Sequence, residues 1–306
     1  MLKFSLYLLP TLLFVFSTIY KEMQSEALGT KSNPIKLFFN PSVDAETISN
    51  NAEVLVRYLE KETGYHFVTA VPASYVAVVE AFGTSKADIA ILNSFSYLLA
   101  NAKFGAEARL KVIRNDGQAT YRGQIITRVD SGIDSLSDLN GRSIAYVDAS
   151  STSGYILPKS LLKQKGIIPA EETFAMKHDN VVTMVYQKQV DAGATFYSAP
   201  DRKTGEIKDA RTRVLKQFPD VLQQIKIIGF TQDIPNDPCI FRKDLPEHMK
   251  QEIVNALLKF VKTPDGVAAL KKIYSVTGLV PAKDSDYDVL RKMLSTLNYS
   301  IKDLVK

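Results

Sequence analysis

Short apolar runs that end in turn residues alternate with longer segments of helical periodicity through the first third of the chain. The run 35-IKLFFNPS-42 predicts a buried strand, and 46-ETISNNAEVLVRYLEKETG-64 carries apolar residues at helical spacing before a closing glycine. A second strand is predicted near residues 65–72, a helix over 75–85 and a third buried strand over 87–93. This alternation of strands and helices predicts an α/β fold with parallel strands.

The same alternation returns in the middle of the chain. Residues 124–128 and 143–148 are strand-like, and a helix is predicted to begin within 150-SSTSGYILPKSLL-162. The segment 190-VDAGATFYS-198 repeats the form of 87-ADIAILNSF-95, with polar residues at the end of a strand. Two similar units predict two lobes, and ligands of such sheets bind beyond the carboxyl ends of the strands.

The last part of the chain is predicted to return to the first lobe through a strand at 225–230. Helices are predicted after it, at 247–263, 264–274 and 286–297. The predicted division is a signal segment at 1–27, a first lobe at 31–125 and 230–306, and a second lobe at 126–229, with crossovers near 123–126 and 227–231.

The N-terminus has the pattern of an export signal. Lys3 precedes an uncharged apolar run over residues 4–20, and Ser25 with Ala27 offers a small-x-small cleavage site. The run is slightly shorter than the roughly 20 residues of a membrane span, although an uncleaved anchor is the alternative. Export to the periplasm is therefore expected.

Charge and cysteine content narrow the function further. The 306 residues carry 38 Lys and Arg against 33 Asp and Glu, a net charge of +5, without a dense basic block of the kind that binds nucleic acid. A mild positive field helps a small anion to reach a cleft, or serves only solubility. The single cysteine, Cys239, forms neither an internal disulfide nor a cysteine metal site. No cofactor and no metal are expected.

Three consecutive hydroxyl residues, Ser151, Thr152 and Ser153, stand where the predicted helix begins. A helix start leaves backbone N–H groups without partners and carries a partial positive charge, so an oxyanion bound there satisfies both. The hydroxyl groups can each donate one more hydrogen bond. Ordinary capping by serine or threonine is the alternative, although one hydroxyl suffices for a cap.

The segment 150-SSTSGYILP-158 resembles the Ser-Thr-Ser-Gly signature of periplasmic proteins that bind phosphonate, phosphite or phosphate for ABC importers. Four more segments resemble that family in the same order. They are 74-SYVAVVEAF-82, 87-ADIAILNSFSYLLA-100, 177-KHDNVVTMVYQKQVDAGAT-195 and 234-IPNDPCIFRKDLP-246. Five motifs in register are a far more specific signal than one.

The resemblance implies a two-lobed clamp of the type II periplasmic binding protein fold, with a ligand cleft between the lobes. Ser151, Thr152 and Ser153 would hold the oxyanion from the second lobe, and His178 would add a ring N–H bond. Tyr75 would reach in from the first lobe, and Tyr97 and Ser94 lie on another matching segment. The implied partners of a monomeric chain are the small oxyanion and the permease and ATPase subunits at the inner membrane, without nucleic acid.

The region 195-TFYSAP-200 lacks the carboxylate that aminoalkylphosphonate binders of the family use for an ammonium group. The expected ligand is therefore a compact anion such as phosphite, phosphate or methylphosphonate. Tyr121 and Tyr197 are further cleft candidates, whereas Asp191 is expected to cap or end a local element.

Other functions keep weaker support in the sequence. An enzyme would need a nucleophile elbow, a phosphate-binding Gly-Lys loop or metal spacing, and none of these patterns occurs. A Ser151–His178 pair lacks an evident third member to orient the histidine. A ferric clamp usually needs adjacent tyrosines, and no Tyr-Tyr pair occurs. The same fold could instead present an oxyanion to a membrane receptor kinase as a sensor subunit.

Overall fold

The computed structural model describes residues 27–42, 44–114, 117–201 and 204–296, which form two β-sheets with helices packed against them. The strands are β1 (Ile35–Phe39), β2 (Phe67–Ala70), β3 (Ile89–Ile91), β4 (Glu107–Ile113), β5 (Thr120–Arg128), β6 (Ser143–Tyr146), β7 (Glu171–Phe174), β8 (Ala192–Tyr197), β9 (Ile225–Phe230), β10 (Ile234–Pro235), β11 (Pro238–Phe241) and β12 (Gly278–Pro281). The α-helices are α1 (Ala45–Thr63), α2 (Tyr75–Gly83), α3 (Ser94–Phe104), α4 (Leu157–Gln164), α5 (His178–Tyr186), α6 (Val221–Gln224), α7 (Glu247–Phe260), α8 (Pro264–Tyr274) and α9 (Asp288–Thr296).

The first sheet has the strand order β12-β4-β11-β3-β1-β2. Strand β1 is parallel to β2 and β3, whereas β11 is antiparallel to both β3 and β4. It follows that β4 runs in the same direction as β1 and β3. The carboxyl ends of β1, β3 and β4 therefore share one edge of the sheet with the amino end of β11.

The second sheet has the order β10-β5-β8-β6-β7, and β9 also pairs with β5. Strand β6 is parallel to β7 and β8, and β5 is antiparallel to β8. The carboxyl ends of β6, β7 and β8 therefore share an edge with the amino end of β5. This second edge carries the segment with the three hydroxyl residues.

Local sequence signals set the helix ends. The Asp44 carboxylate accepts a hydrogen bond from the Thr47 backbone N–H at 2.8 Å, and α1 closes at Gly64 in the left-handed region with φ of 74°. The helix buries one stripe of apolar residues against the first sheet, made of Ile48, Ala52, Leu55 and Leu59. That spacing is the one expected of an amphipathic helix on a sheet.

A shared apolar cluster joins the two lobes. Phe95 and Leu98 of α3, from the first lobe, pack in one buried cluster with Ile156 and Leu157 from the start of α4 in the second lobe. Ile234 of β10 is buried in the same cluster. The lobes are thus in contact through packed side chains as well as through the connecting chain.

The structure corrects the predicted course of the chain between the lobes. The prediction that residues 225–230 return to the first lobe is wrong, because β9 pairs with β5 in the second sheet. The chain leaves the first sheet between β4 and β5 and returns between β10 and β11. The predicted crossovers at 123–126 and 227–231 consequently fall almost entirely inside strands of the second sheet.

The predicted signal segment, residues 1–27, lies outside the described residues except for Ala27. Within the part of the chain that the structure does describe, no helix combines the length and the apolar character that crossing a membrane requires.

Candidate functional site

The two strand edges meet at a cavity that both lobes line. The first lobe contributes polar residues that follow β1, β3 and β4 or precede β11, and the second contributes residues at the ends of β6, β7 and β8. The cavity is lined by Asn40, Ser42, Tyr75, Ile91, Leu92, Asn93, Arg114, Tyr121, Ser151, Ser153, His178, Phe196, Ser198, Arg213, Asp237 and Tyr274. This is the position at which α/β sheets place their ligands.

Ser151 begins the helical turn that the sequence singled out. Residues Thr152–Ile156 form one π-helical turn, in which the Ser151 carbonyl accepts from the backbone N–H groups of Tyr155 at 3.1 Å and Ile156 at 2.9 Å. The Ser151 hydroxyl oxygen accepts from the Gly154 N–H at 3.1 Å. Because that oxygen acts as an acceptor, its proton is left for another partner in the cavity.

Thr152 lies in the same turn, but its side chain does not line the cavity. Its hydroxyl donates to the side-chain carbonyl of Asn93 at 2.7 Å and accepts from the Phe95 backbone N–H at 2.9 Å. Both partners belong to the first lobe, and Thr152 is fully buried. The hydroxyl therefore connects the two lobes through hydrogen bonds beside the cavity.

Gly154 is required by packing within its own lobe. A Cβ at this position would lie 2.4 Å from a side-chain carbon of Val147 and 2.9 Å from the Ser151 hydroxyl oxygen. A side chain here would push against Val147 and disturb the cap of the turn. The glycine is thus explained by the close approach of the turn to Val147 at the end of β6.

His178 is the first residue of α5 and lines the cavity with 7% of its surface exposed. Its Nδ1 lies 2.7 Å from the Thr195 hydroxyl oxygen, and the ring meets Phe196 edge-on with centroids 5.0 Å apart. Burial, together with the charges of Arg213 and Arg114, lowers the pKa of His178 from 6.5 to about 3. The imidazole is therefore neutral at physiological pH.

Tyr75 and Tyr121 reach the cavity from opposite lobes. Tyr75 is the first residue of α2 and lines the cavity from the first lobe, as Ser42 does. Tyr121, in β5, lines it from the second lobe, as Ser153 does. Burial raises the pKa of both tyrosines well above 10, so both hydroxyl groups keep their protons.

The other residues expected at the site point elsewhere. The Tyr97 hydroxyl donates to Asp284 at 2.6 Å, and its ring packs against Tyr287 with centroids 4.8 Å apart. The Ser94 hydroxyl donates to the Pro235 carbonyl at 2.5 Å. Tyr197 packs against Phe230. None of these three lines the cavity, because Tyr97 turns into the first lobe, Ser94 bonds to β10 of the second sheet and Tyr197 packs along that sheet.

Arg114 and Asp237 are residues that the sequence analysis did not single out. Arg114 follows β4, and one terminal nitrogen of its guanidinium, Nη2, donates to the Asp237 carboxylate at 2.7 Å. Its Nε donates to the Tyr274 carbonyl at 3.1 Å. The other terminal nitrogen, Nη1, and the second Asp237 carboxylate oxygen are buried without hydrogen-bond partners among the described residues. The pair therefore presents one unused donor and one unused acceptor.

Arg213 is a second cationic residue at the cavity, and it comes from the second lobe. It stands in the 3-10 helical turn Ala210–Val214, with its guanidinium carbon 5.1 Å from the centre of the Phe196 ring. Within the described part of the chain, its guanidinium has neither a hydrogen bond nor an ion pair. Burial and the charge of Arg114 lower the pKa of Arg213, whereas Asp179 acts in the opposite direction.

One sequence signal could have found several of the missed residues. Asn40 and Arg114 follow β1 and β4 in the same way that Asn93 follows β3. The expectation that ligands bind beyond the carboxyl ends of strands therefore applies to all three residues. Asp237 stands inside the 234–246 segment that resembles the family, immediately before β11. No comparable signal marks Arg213, which follows an irregular connection after β8.

The cavity suits a compact polar guest. It offers about 50 Å³ to the centres of water molecules, and one water needs roughly 10–15 Å³ on that measure. It thus has room for a few waters or for one small oxyanion with a short substituent. Among the described residues, no group of three or more histidine, cysteine or carboxylate side chains is arranged to hold a metal ion.

Asp191, which the sequence expected to act locally, does so. Its carboxylate accepts from the Ser143 backbone N–H and from the Ser143 hydroxyl, each at 2.9 Å. These bonds fix the start of β6 to the start of β8. Asp191 does not line the cavity.

Comparison with known proteins agrees with this architecture. The phosphonates-binding periplasmic protein of Escherichia coli K12 is 26% identical over 222 residues, which cover 70% of this chain and 62% of that protein. More than a third of the length of that relative is therefore unmatched. The phosphate-import protein PhnD of Mycolicibacterium smegmatis is 25% identical over 266 residues, 82% of each chain.

A solved structure shows the same fold. PhnD1 from Prochlorococcus marinus, in complex with methylphosphonate, superposes with a TM-score of 0.73 at 17% identity, over 87% of this chain and 98% of that one. The likeness confirms the predicted two-lobed type II periplasmic binding fold. Residues 37–287 match the family described as ABC transporter, phosphonate, periplasmic substrate-binding protein. The chain therefore belongs to the family of periplasmic substrate-binding proteins of phosphonate ABC transporters.

Proposed function

We propose that this chain binds a small phosphorus oxyanion, namely a phosphonate, phosphite or phosphate, between its lobes and delivers it to an ABC importer. The observation that carries the proposal is the turn at Ser151–Ser153, whose serine side chains line the interlobe cavity. A helix start supplies unpaired N–H groups and a partial positive charge for such an anion. The partners would be the permease and ATPase subunits, and the place of binding would be the periplasm.

The proposed ligand-binding residues are those of the expected set that line the cavity. Ser151 and Ser153 would donate hydroxyl hydrogen bonds from the second lobe, and Tyr75 would donate from the first. If the Thr195 hydroxyl donates to Nδ1 of His178, the neutral ring carries its proton on Nε2 and can donate it to the anion. Thr152, Tyr97 and Ser94 would act only indirectly, because their hydroxyl groups are used by protein atoms.

Binding without catalysis is part of the proposal. A serine nucleophile activated by His178 would need a group that stabilises the imidazolium, and a carboxylate usually fills that place. Here the Nδ1 partner is the neutral Thr195 hydroxyl, and the pKa of His178 is lowered to about 3. Such a histidine is a poor proton acceptor near neutral pH.

Titration calorimetry of the protein purified from the periplasm of an expressing host tests the function. Methylphosphonate, phosphite and phosphate are the probes, and Ser153→Ala should weaken the best of them by about 10- to 150-fold, the usual cost of a hydrogen bond to a charged group. Ser160→Ala is the matched control, since Ser160 is equally buried in α4 and its hydroxyl donates only to the Ile156 carbonyl. No binding of any probe at about 1 mM, or unchanged affinity in Ser153→Ala, would contradict the proposal.

A further inference from the structure

Two arginines from opposite lobes face the same cavity with unused donors. Arg213 lines it without a hydrogen bond or an ion pair among the described residues, and Arg114 keeps a buried Nη1 without a partner. Each charge contributes to the lowering of the pKa of His178, and that of Arg114 also acts on Arg213. Both guanidinium groups therefore act electrostatically on any group that is bound in the cavity.

Two other arginines with little exposed surface are paired with carboxylates. Arg211, two residues before Arg213, donates to both carboxylate oxygens of Asp209 at 2.8 and 3.0 Å and to the Ile225 carbonyl at 3.0 Å. Arg242 is paired with Asp88 at 3.0 Å. Arg213 departs from this pattern, because its half-buried guanidinium lines the cavity with no carboxylate paired to it among the described residues.

The cavity carries more positive charge than its carboxylate neutralises. Two guanidinium groups line it against one carboxylate, that of Asp237. Asp179 attracts Arg213 but lies beyond ion-pair distance, and one of its carboxylate oxygens is buried without a hydrogen bond. A phosphorus oxyanion can be held by neutral donors, namely the serine hydroxyl groups, the turn N–H groups and His178. The arginine charge then remains available for a further negative group.

We propose that the ligand carries a second acid group, such as a carboxylate on a short linker, which Arg213 binds together with the free Nη1 of Arg114. This inference rests on the proposed function and narrows its substrate class to phosphonates with an acidic substituent. The planar guanidinium fork matches a carboxylate in two parallel hydrogen bonds. The size of the cavity limits the linker to one or two carbon atoms, because the space open to water centres is only about 50 Å³.

A series of probes that differ mainly in the charge of the substituent tests the inference. Ethylphosphonate has a neutral substituent, phosphonoacetate an anionic one and 2-aminoethylphosphonate a cationic one. We expect calorimetry of the full protein to give phosphonoacetate an affinity roughly tenfold or more above that of ethylphosphonate, as for a hydrogen bond between charged groups. Arg213→Gln should reduce that ratio to about threefold or less, whereas Arg142→Gln, which removes a half-exposed charge of the same lobe, should leave it unchanged.

Each other outcome has a definite meaning. Equal affinity for the three probes in the unsubstituted protein would overturn the inference without any variant having to fold. Tightest binding of 2-aminoethylphosphonate would overturn it in favour of an ammonium group on the free oxygen of Asp237. An equal loss for all probes in Arg213→Gln would show that Arg213 binds the phosphorus oxyanion itself. If methylphosphonate, phosphite and phosphate also fail to bind, the proposed function fails and this inference with it.

Discussion

Replacing His178 with glutamine should make the unliganded protein less sensitive to mild acid. The pKa of His178 is about 3 in the folded chain and 6.5 for the unperturbed side chain. Between these two pH values the histidine is protonated in the unfolded chain but not in the folded chain. The contribution of His178 to stability is therefore highest above pH 6.5 and falls as the pH drops toward 3. Glutamine does not titrate and can still hydrogen-bond to Thr195.

The size of the effect follows from the width of that pH window. At pH 5 the unfolded histidine is about 1.5 pH units below its pKa, which corresponds to roughly 2 kcal/mol at 1.36 kcal/mol per unit. Arg213 and Arg114 face the ring and both oppose its protonation.

Urea unfolding at pH 7.5 and pH 5.0 provides the measurement. Between the two pH values, the unsubstituted protein should lose about 2 kcal/mol more of its unfolding free energy than His178→Gln loses. Saturating methylphosphonate should shrink the difference, because a neighbouring anion favours the protonated ring. Equal losses in the two unliganded proteins would show that the buried imidazole is not held neutral, and the reasoning on its surroundings would be refuted.

Three further substitutions separate roles within the second lobe. Thr152→Val should weaken binding of methylphosphonate by several-fold, although the side chain does not line the cavity, and should give a more open average shape in small-angle scattering. An unchanged affinity would show that the Thr152 hydroxyl does not hold the lobes together. Asp191→Asn should lower the unfolding free energy by about 1–2 kcal/mol through its lost bonds to Ser143, with the affinity unchanged, and a loss of affinity would place it in the site. Gly154→Ala should cost about 1–3 kcal/mol of stability by overpacking, and Val147→Ala in the same chain should restore part of it; a lack of rescue would assign the cost to the turn itself.

Sequence patterns predicted the fold well because buried strands and amphipathic helices each have a characteristic spacing of apolar residues. The first two strands and α1 appear close to their predicted ranges. Of the polar residues in the two repeated segments, Asn93 and Ser198 line the cavity, whereas Ser94, Ser96 and Tyr197 do not. β4 was not predicted, although its strict alternation of charged and apolar residues is typical of a half-buried strand. Without that strand and its direction, nothing in the sequence places Arg114 at the same edge as Asn93.

The local sequence could not show which of the three consecutive hydroxyl groups line the cavity. In a π-helical turn, successive side chains point in different directions, so Ser151 and Ser153 line the cavity while Thr152 faces the other lobe. The difference is set by the docking of α3 against the turn, which is a tertiary contact. The position of Arg213 also depends on tertiary structure, because the residue lies outside any segment with a periodic sequence pattern.

The structure also indicates why a ligand would change the balance between open and closed lobes. The bonds of Thr152 to Asn93 and Phe95 favour contact between the lobes whether or not an anion is bound. The like charges of Arg114 and Arg213 act across the same cavity and oppose it. A ligand can shift such an equilibrium only by interacting differently with its two states. An anion bound between the arginines, as proposed above, would do so, because it would replace repulsion by attraction only when both lobes surround it. The scattering measurement on Thr152→Val tests the contribution of the contact between the lobes. Without that contact, the repulsion between the two arginines should give the unliganded protein a more open average shape.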